Sequence, residues 1–245
     1  MKDVKILKPL FLIIVFSMLL KAPAFSQSRA ETGALTGGFG YFSTGYTTGN
    51  FKAFNEMLQK EGYPQIGNGG IFIGGGGDFV INGFVIGGEG GGVIKPEKSN
   101  GKYQTGISGG YGFINLGYVI LSGKTVLAYP AVGFGGGGSS VRFTDLNSVP
   151  ADFEEILKNP CGQTVITGGG FMLDFSFNSK WFFASTKENG FTRGWLVGLK
   201  AGYMLSLGEV EWRVNNVNMP GVPAANLSGF YVKLSIGGGG IKHGK

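Results

Sequence analysis

The sequence predicts an all-β chain: a single eight-stranded antiparallel up-and-down transmembrane β-barrel with two short loop helices. Three observations lead there. Segments of strict apolar–polar alternation recur from about residue 33 to residue 240, which is the period of a strand with unlike faces. Short turns and longer loops alternate between them, as in barrels of the bacterial outer membrane. Charged residues make up only 15% of the chain and glycine numbers 48, so the charge content falls well below the quarter usual for a soluble domain.

The first 26 residues read as a secretory signal. Lys2, Lys5 and Lys8 give a positive start, PLFLIIVFSMLL is an apolar core of signal length, and Ala24, Phe25 and Ser26 make a small-x-small cleavage site before Gln27. The run is short for a bilayer span. Residues 27–245 then form the barrel domain. Loss of Lys2, Lys5, Lys8, Lys21 and Asp3 lowers the formal charge from +6 by three, so the basic balance is no argument for nucleic acid.

The strands are expected at about 33–43, 69–81, 84–95, 102–120, 125–142, 163–178, 192–206 and 227–240. Within 69–95, Asn82-Gly83 is a strong hairpin signal, because a type I′ turn needs positive φ at both positions. If Ile81 opposes Phe84, Phe79 faces Ile86 and Gly75 faces Gly90. Ile71, Ile73, Phe79, Ile81, Phe84 and Ile86 then share one face, and Asp78 and Glu89 both fall on the other, small-residue face. An oily exterior around a narrow polar interior fits that pattern.

FMLDFSFN repeats it, with Phe171, Leu173, Phe175 and Phe177 against Asp174, Ser176 and Asn178. WLVGLKAGYML sets Trp195, Val197, Leu199, Tyr203 and Leu205 against Gly198, Lys200 and Gly202. FYVKLSIG sets Phe230, Val232, Leu234 and Ile236 against Tyr231, Lys233 and Ser235. LTGGFGYF is weaker, with Leu35, Phe39 and Tyr41 opposite Thr36, Gly38 and Gly40. The apolar phase changes near residues 109–112, which predicts a bulge, and Pro130 predicts a bulge or break because it cannot donate to a ladder.

The longer loops 44–68, 96–101, 143–162 and 207–226 fall on one side of such a barrel, and residues 179–191 form a fairly long linker on the other. NFKAFNEMLQKEGYP reads as a helix capped by Asn50, with Phe51, Phe54 and Leu58 on one stripe and Gly62 and Pro64 as the stop. SVPADFEEILKNP reads as a second, with Ser148 as cap and Phe153, Ile156 and Leu157 as an apolar edge. Both stripes need burial, and the expectation is that the helices cap or plug the barrel mouth.

On these features, across residues 33–240, the chain resembles the small eight-stranded outer-membrane barrels of the OmpA/OmpX kind. The glycine content and helical loops look like barrels of Bacteroidetes-type bacteria. The resemblance is architectural and brings no residue motif. One departure is the ending IGGGGIKHGK, where such barrels usually place an aromatic residue.

Chemistry-bearing motifs are few. GYVILSGKT nearly spells a phosphate loop and GFGGGG satisfies G-x-G-x-x-G, but neither precedes a helix, so no nucleotide is expected. His243, the one histidine, reads as a solvated tail residue. The lack of a histidine in the wall or rim counts strongly against the barrel hydrolases and acyltransferases, and no catalytic residue, cofactor or metal site is assigned. Cys161, the one cysteine, reads as a loop residue.

The inward charges carry the site expectation: Asp78, Glu89, Asp174, Lys200 and Lys233 as an interior charge network, since a desolvated charge in a narrow barrel must be paired. The glycine runs at 74–77, 87–92, 135–138, 168–170 and 237–240 are expected to form a thin-walled belt for a loop helix or a lipid-like ligand. The leading function is structural or surface-interacting, without catalysis, with outer-membrane lipid and surface proteins as partners. The alternatives are a binder or narrow conduit for an apolar or lipid-like ligand, favoured by an open cavity without a helix plug, and a soluble periplasmic or secreted barrel.

Overall fold

Asn82 and Gly83 have φ of 52° and 82°, left-handed at both positions, which is the twist a two-residue type I′ hairpin needs. That turn fixes the register of its strands, with Ile81 opposite Phe84, Phe79 opposite Ile86 and Gly75 opposite Gly90. The computed structural model describes residues 35–243, apart from 124, 149–151, 159–162, 189–190 and 209. The expected signal segment, residues 1–26, and Cys161 lie outside the described residues.

Eight long strands form the wall: β1 (Leu35–Thr48), β2 (Gly69–Ile81), β3 (Phe84–Ile94), β4 (Tyr103–Tyr118), β5 (Val126–Asp145), β6 (Gln163–Glu188), β7 (Phe191–Ser206) and β8 (Gly229–His243). Each pairs antiparallel with its neighbour in sequence, and β8 returns to pair with β1 from Leu35–His243 to Thr47–Tyr231. The sheet is therefore closed, which removes the exposed edge that an open sheet presents. The β1–β8 pairing includes His243, so its backbone belongs to the ladder and not to a free tail.

The alternation sorts side chains as expected on most strands. Phe79, Phe84, Trp195, Phe230 and Leu234 are between 59% and 67% exposed, while Asp78, Glu89, Asp174, Lys200 and Lys233 are at most 5% exposed. β1 departs from the oily-side-out rule. Its Leu35, Phe39 and Tyr41 are buried in the lumen, and Phe42 and Tyr46 face outward. A barrel of eight strands has room inside for side chains, and this strand supplies bulk where its neighbour β2, and β3 beyond it, supply glycine.

Two other expectations change, and the break expected at Pro130 is found on one side of its strand. β4 runs without a bulge through residues 109–112, with unbroken register to β3 and β5. The phase change is real but has another cause: Ile107, Tyr111 and Phe113 point inward into a core cluster near the long-loop end, while Ile114 and Leu116 point outward. At Pro130 the ladder to β6 is continuous. The ladder to β4 stops at Gly117–Ala131 and resumes one residue out of step at Leu121–Ala128. The described residues of the supposed linker 179–191 are strand, because β6 continues to Glu188 and β7 begins at Phe191, with a register shift between Phe183 and Thr186. All the longer connections therefore lie at one end, opposite the Asn82-Gly83 turn.

Helix α1 (Lys52–Lys60) caps that end. Its N-cap is Phe51 and not Asn50, which forms an isolated bridge with Asn226. Phe51, Phe54 and Leu58 are buried, and Phe54 stacks on Trp212 at 6.0 Å. Helix α2 (Phe153–Lys158) does not plug the mouth: Phe153 and Leu157 are 72% and 68% exposed. Its cap is Asp152, whose Oδ1 accepts the Glu155 N–H at 2.9 Å, while Ser148 ends a separate 3₁₀ turn. A short connection such as Glu211–Val214 with Val217–Asn218 extends the β6 edge above the rim.

The glycine runs answer to curvature. A Cβ on inward Gly91 would lie 2.6 Å from the Cα of Gly74, and one on Gly76 would strike the carbonyl oxygen of Gly88. Those neighbours are the backbones of adjacent strands and not α1. On the outer face, a Cβ at Gly88 meets nothing nearer than 3.8 Å. Gly76→Leu or Gly91→Leu is therefore expected to cost about 1–3 kcal/mol or more and to abolish the heat-modifiable band of the folded barrel on gels, whereas Gly88→Ala should migrate as wild type.

Candidate functional site

The lumen is layered. At the long-loop end lies an apolar layer that includes Phe72, Tyr111, Met172 and Met204 beneath α1. At the turn end lies a second, with Leu35, Phe39, Val80, Val85, Leu127 and Leu196. Between them the strands deliver Asp78, Glu89, Asp174, Lys180, Lys200 and Lys233, all buried. Three carboxylates meet three ammoniums, so the middle layer is formally neutral.

Its geometry starts from an awkward pair. Lys200 on β7 and Lys233 on β8 are direct cross-strand partners, and like charges so placed repel. Glu89, on β3 across the lumen, resolves the conflict. Its Oε1 accepts from Lys233 Nζ, and its Oε2 lies 3.5 Å from Lys200 Nζ. Asp174 on β6 takes the other side of Lys200, with Oδ2 at 3.0 Å, and its Oδ1 accepts the Tyr231 hydroxyl at 2.7 Å. Lys233 Nζ also lies 4.3 Å from the Phe72 ring centre and 4.4 Å from that of Tyr231, so aromatic faces supply part of its solvation.

Asp78 stands apart from this group. The hairpin register pairs it with Gly87 and pairs Glu89 with Gly76, so the two acids do not form a couple. Asp78 Oδ2 instead accepts the Tyr129 hydroxyl at 2.7 Å. The structure thus brings Glu89, Asp174, Lys200 and Lys233 together and leaves Asp78 in a second cluster nearer the turn end.

Lys180 was missed because it falls in the stretch read as a linker. It is 1% exposed, donates to Ser235 Oγ at 3.3 Å and lies 3.6 Å from the Tyr41 ring centre. The signal was present: Asp174, Ser176, Asn178, Lys180 and Phe182 continue one alternation without interruption. The lumen tyrosines 41, 111 and 129 carried no comparable signal, since an aromatic residue on a strand reads equally well as lipid-facing.

Each carboxylate in the layer is engaged by a lysine or a tyrosine, and each lysine by an acid, a hydroxyl or an aromatic face. This arrangement locks facing walls together across the lumen. Removing one partner should be severe, because it strands a buried charge. Glu89→Gln leaves the two adjacent lysines without their shared anion. A loss of about 3–5 kcal/mol is expected, read as a lower unfolding temperature in detergent, with partial recovery in Glu89→Gln/Lys233→Met.

No protein-family model and no curated protein matches the sequence. Among solved structures, the chain is similar to Ail, the attachment invasion locus protein of Yersinia pestis, at 11% identity over 86% of this chain and 97% of that one, with a TM-score of 0.35. It is similar to Neisserial surface protein A at 9% identity over 85% and 96%, with a TM-score of 0.39. A major outer membrane protein from Thermus thermophilus is similar at 10% identity over 86% and 100%, with a TM-score of 0.42.

Proposed function

We propose that this chain is a non-enzymatic outer-membrane β-barrel with a structural or surface-interaction role, carried across the inner membrane by residues 1–26. The observation that carries this reading is the outer surface of the closed barrel. Phe79, Phe84, Ile114, Phe134, Trp195 and Phe230 are all at least half exposed. So continuous an apolar surface is foreign to a soluble monomer and is what a lipid-facing wall requires.

The band has the right height and the right edges. From Trp195 to Tyr203 on β7, a rise of about 3.3 Å per residue and a tilt of about 40° give roughly 20 Å along the axis. Phe84, Trp181, Phe183 and Trp195 lie toward the turn end, and Tyr46, Tyr203 and Phe230 toward the loop end, like two aromatic girdles. The layered lumen, stoppered by α1, favours a wall over a conduit. Exposed Phe153 and Leu157 on α2 support a surface partner at the loop end.

The test is fractionation with function. The mature protein should resist carbonate extraction, shift in mobility only after boiling, and leave a planar bilayer electrically silent. Release by carbonate would favour a soluble barrel, and steady single-channel conductance would favour a conduit.

A further inference from the structure

The lobe that covers the mouth is built as a separate piece. Its backbone hydrogen bonds close on themselves: Asn55 N–H to Phe51, Glu61 N–H to Met57, and Tyr63 N–H to Leu58. The Asn55 side chain clamps Ile66 at both its N–H and its carbonyl, each at 2.8 Å. The neck is narrow, with Gly49 N–H donating to Asn68 O at 2.8 Å and Asn50 bridging Asn226. Beyond the neck, Asn100 Nδ2 donates to the Gly62 carbonyl at 2.9 Å, and ring contacts also tie the lobe to the rim, Tyr63 on Tyr103 at 4.3 Å among them.

Beneath the lobe, the cup holds polar groups that the lobe does not satisfy. Trp212 Nε1 and Thr105 Oγ1 are buried without a hydrogen-bond partner among the described residues. An unmet buried donor costs about 1–3 kcal/mol, so two under one cover call for an explanation. Lys95, at the end of β3, is 8% exposed. Its ammonium donates to the Gly67 carbonyl at 2.9 Å and sits 4.0 Å from the Phe51 ring centre. Burial lowers its pKa to about 8. No acid forms an ion pair with it among the described residues, and no carboxylate offsets the cost of burying it. The cup therefore offers aromatic and aliphatic walls, unmet hydrogen-bonding groups and a cation without an anion.

We propose that this cup binds a single-chain fatty carboxylate, which displaces the lobe of residues 51–66, lays its alkyl chain where Phe51, Phe54 and Leu58 now pack, and gives its head oxygens to Lys95 and Trp212. The charge layer below stays closed, so the cup is a binding site and not a passage. The inference presupposes the barrel but not its place in a membrane, which the extraction test addresses separately.

The experiment uses the mature barrel in phospholipid nanodiscs and cis-parinaric acid as the fluorescent probe, with empty nanodiscs as the blank. Saturable binding of one probe per barrel is expected, with hexadecanoate competing and hexadecanol competing poorly. Trp212→Phe and Lys95→Met should each weaken binding about tenfold, as loss of a hydrogen bond to a charged group does, and Lys95→Arg should restore it. A spin label at Met57→Cys in a Cys161→Ser background should gain mobility at saturation. Heat-modifiable mobility checks that each variant is folded. Probe uptake no greater than in empty nanodiscs, or a label that stays immobile at saturation, would overturn the proposal on the wild-type wall alone. Equal affinity in folded Lys95→Met and Trp212→Phe would overturn it as well.

Discussion

Two lysines held side by side by one glutamate set the terms for the rest of the barrel. Lys200 and Lys233 are neighbours on β7 and β8, and an anion from the far wall, Glu89, contacts both. Glu89 reaches them because β3 faces that wall across a lumen about one side chain wide. The contact therefore depends on closure, and closure brings β3, β7 and β8 to one another. Asp174 and Tyr231 extend the same contact to β6.

The glycines follow from that narrowness. Strands this tightly coiled bring neighbouring backbones close on the concave side, where inward glycine leaves room. Inward glycine on β2, β3 and β5 also empties the lumen, and the bulk that fills it comes from elsewhere: Leu35, Phe39 and Tyr41 from β1, Tyr111 and Phe113 from β4, and Tyr129 from β5. The glycine-rich strands and the strands that break the oily-side-out rule are thus two halves of one packing solution. The outward apolar surface loses little by it, since its side chains lie on alternate positions of the same strands.

Much of the fold was legible because a strand's period is local. Alternation, Asn82-Gly83 and the loop lengths are each read within a few residues, and they specify strand number, hairpin register and the side on which loops gather. Reading failed where the local signal had two meanings. Residues 179–191 looked like a linker because lysine, serine and asparagine interrupt the apolar face, although the alternation that carries Lys180 inward continues. The phase change in β4 looked like a bulge because the nearby chain does not show that a helix from another loop waits above it.

The sequence by itself determined the closed antiparallel wall, the outward apolar band and the inward position of Asp78, Glu89, Asp174, Lys200 and Lys233, since all of these rest on a period of two. Only the tertiary structure decided which charges meet, that Asp78 pairs with a tyrosine, that β1 turns its aromatics inward, and that α1 covers the mouth while α2 stays exposed. The reason is distance along the chain. Glu89 and Lys233 are 144 residues apart, and no local pattern states which of several inward groups closure will bring face to face.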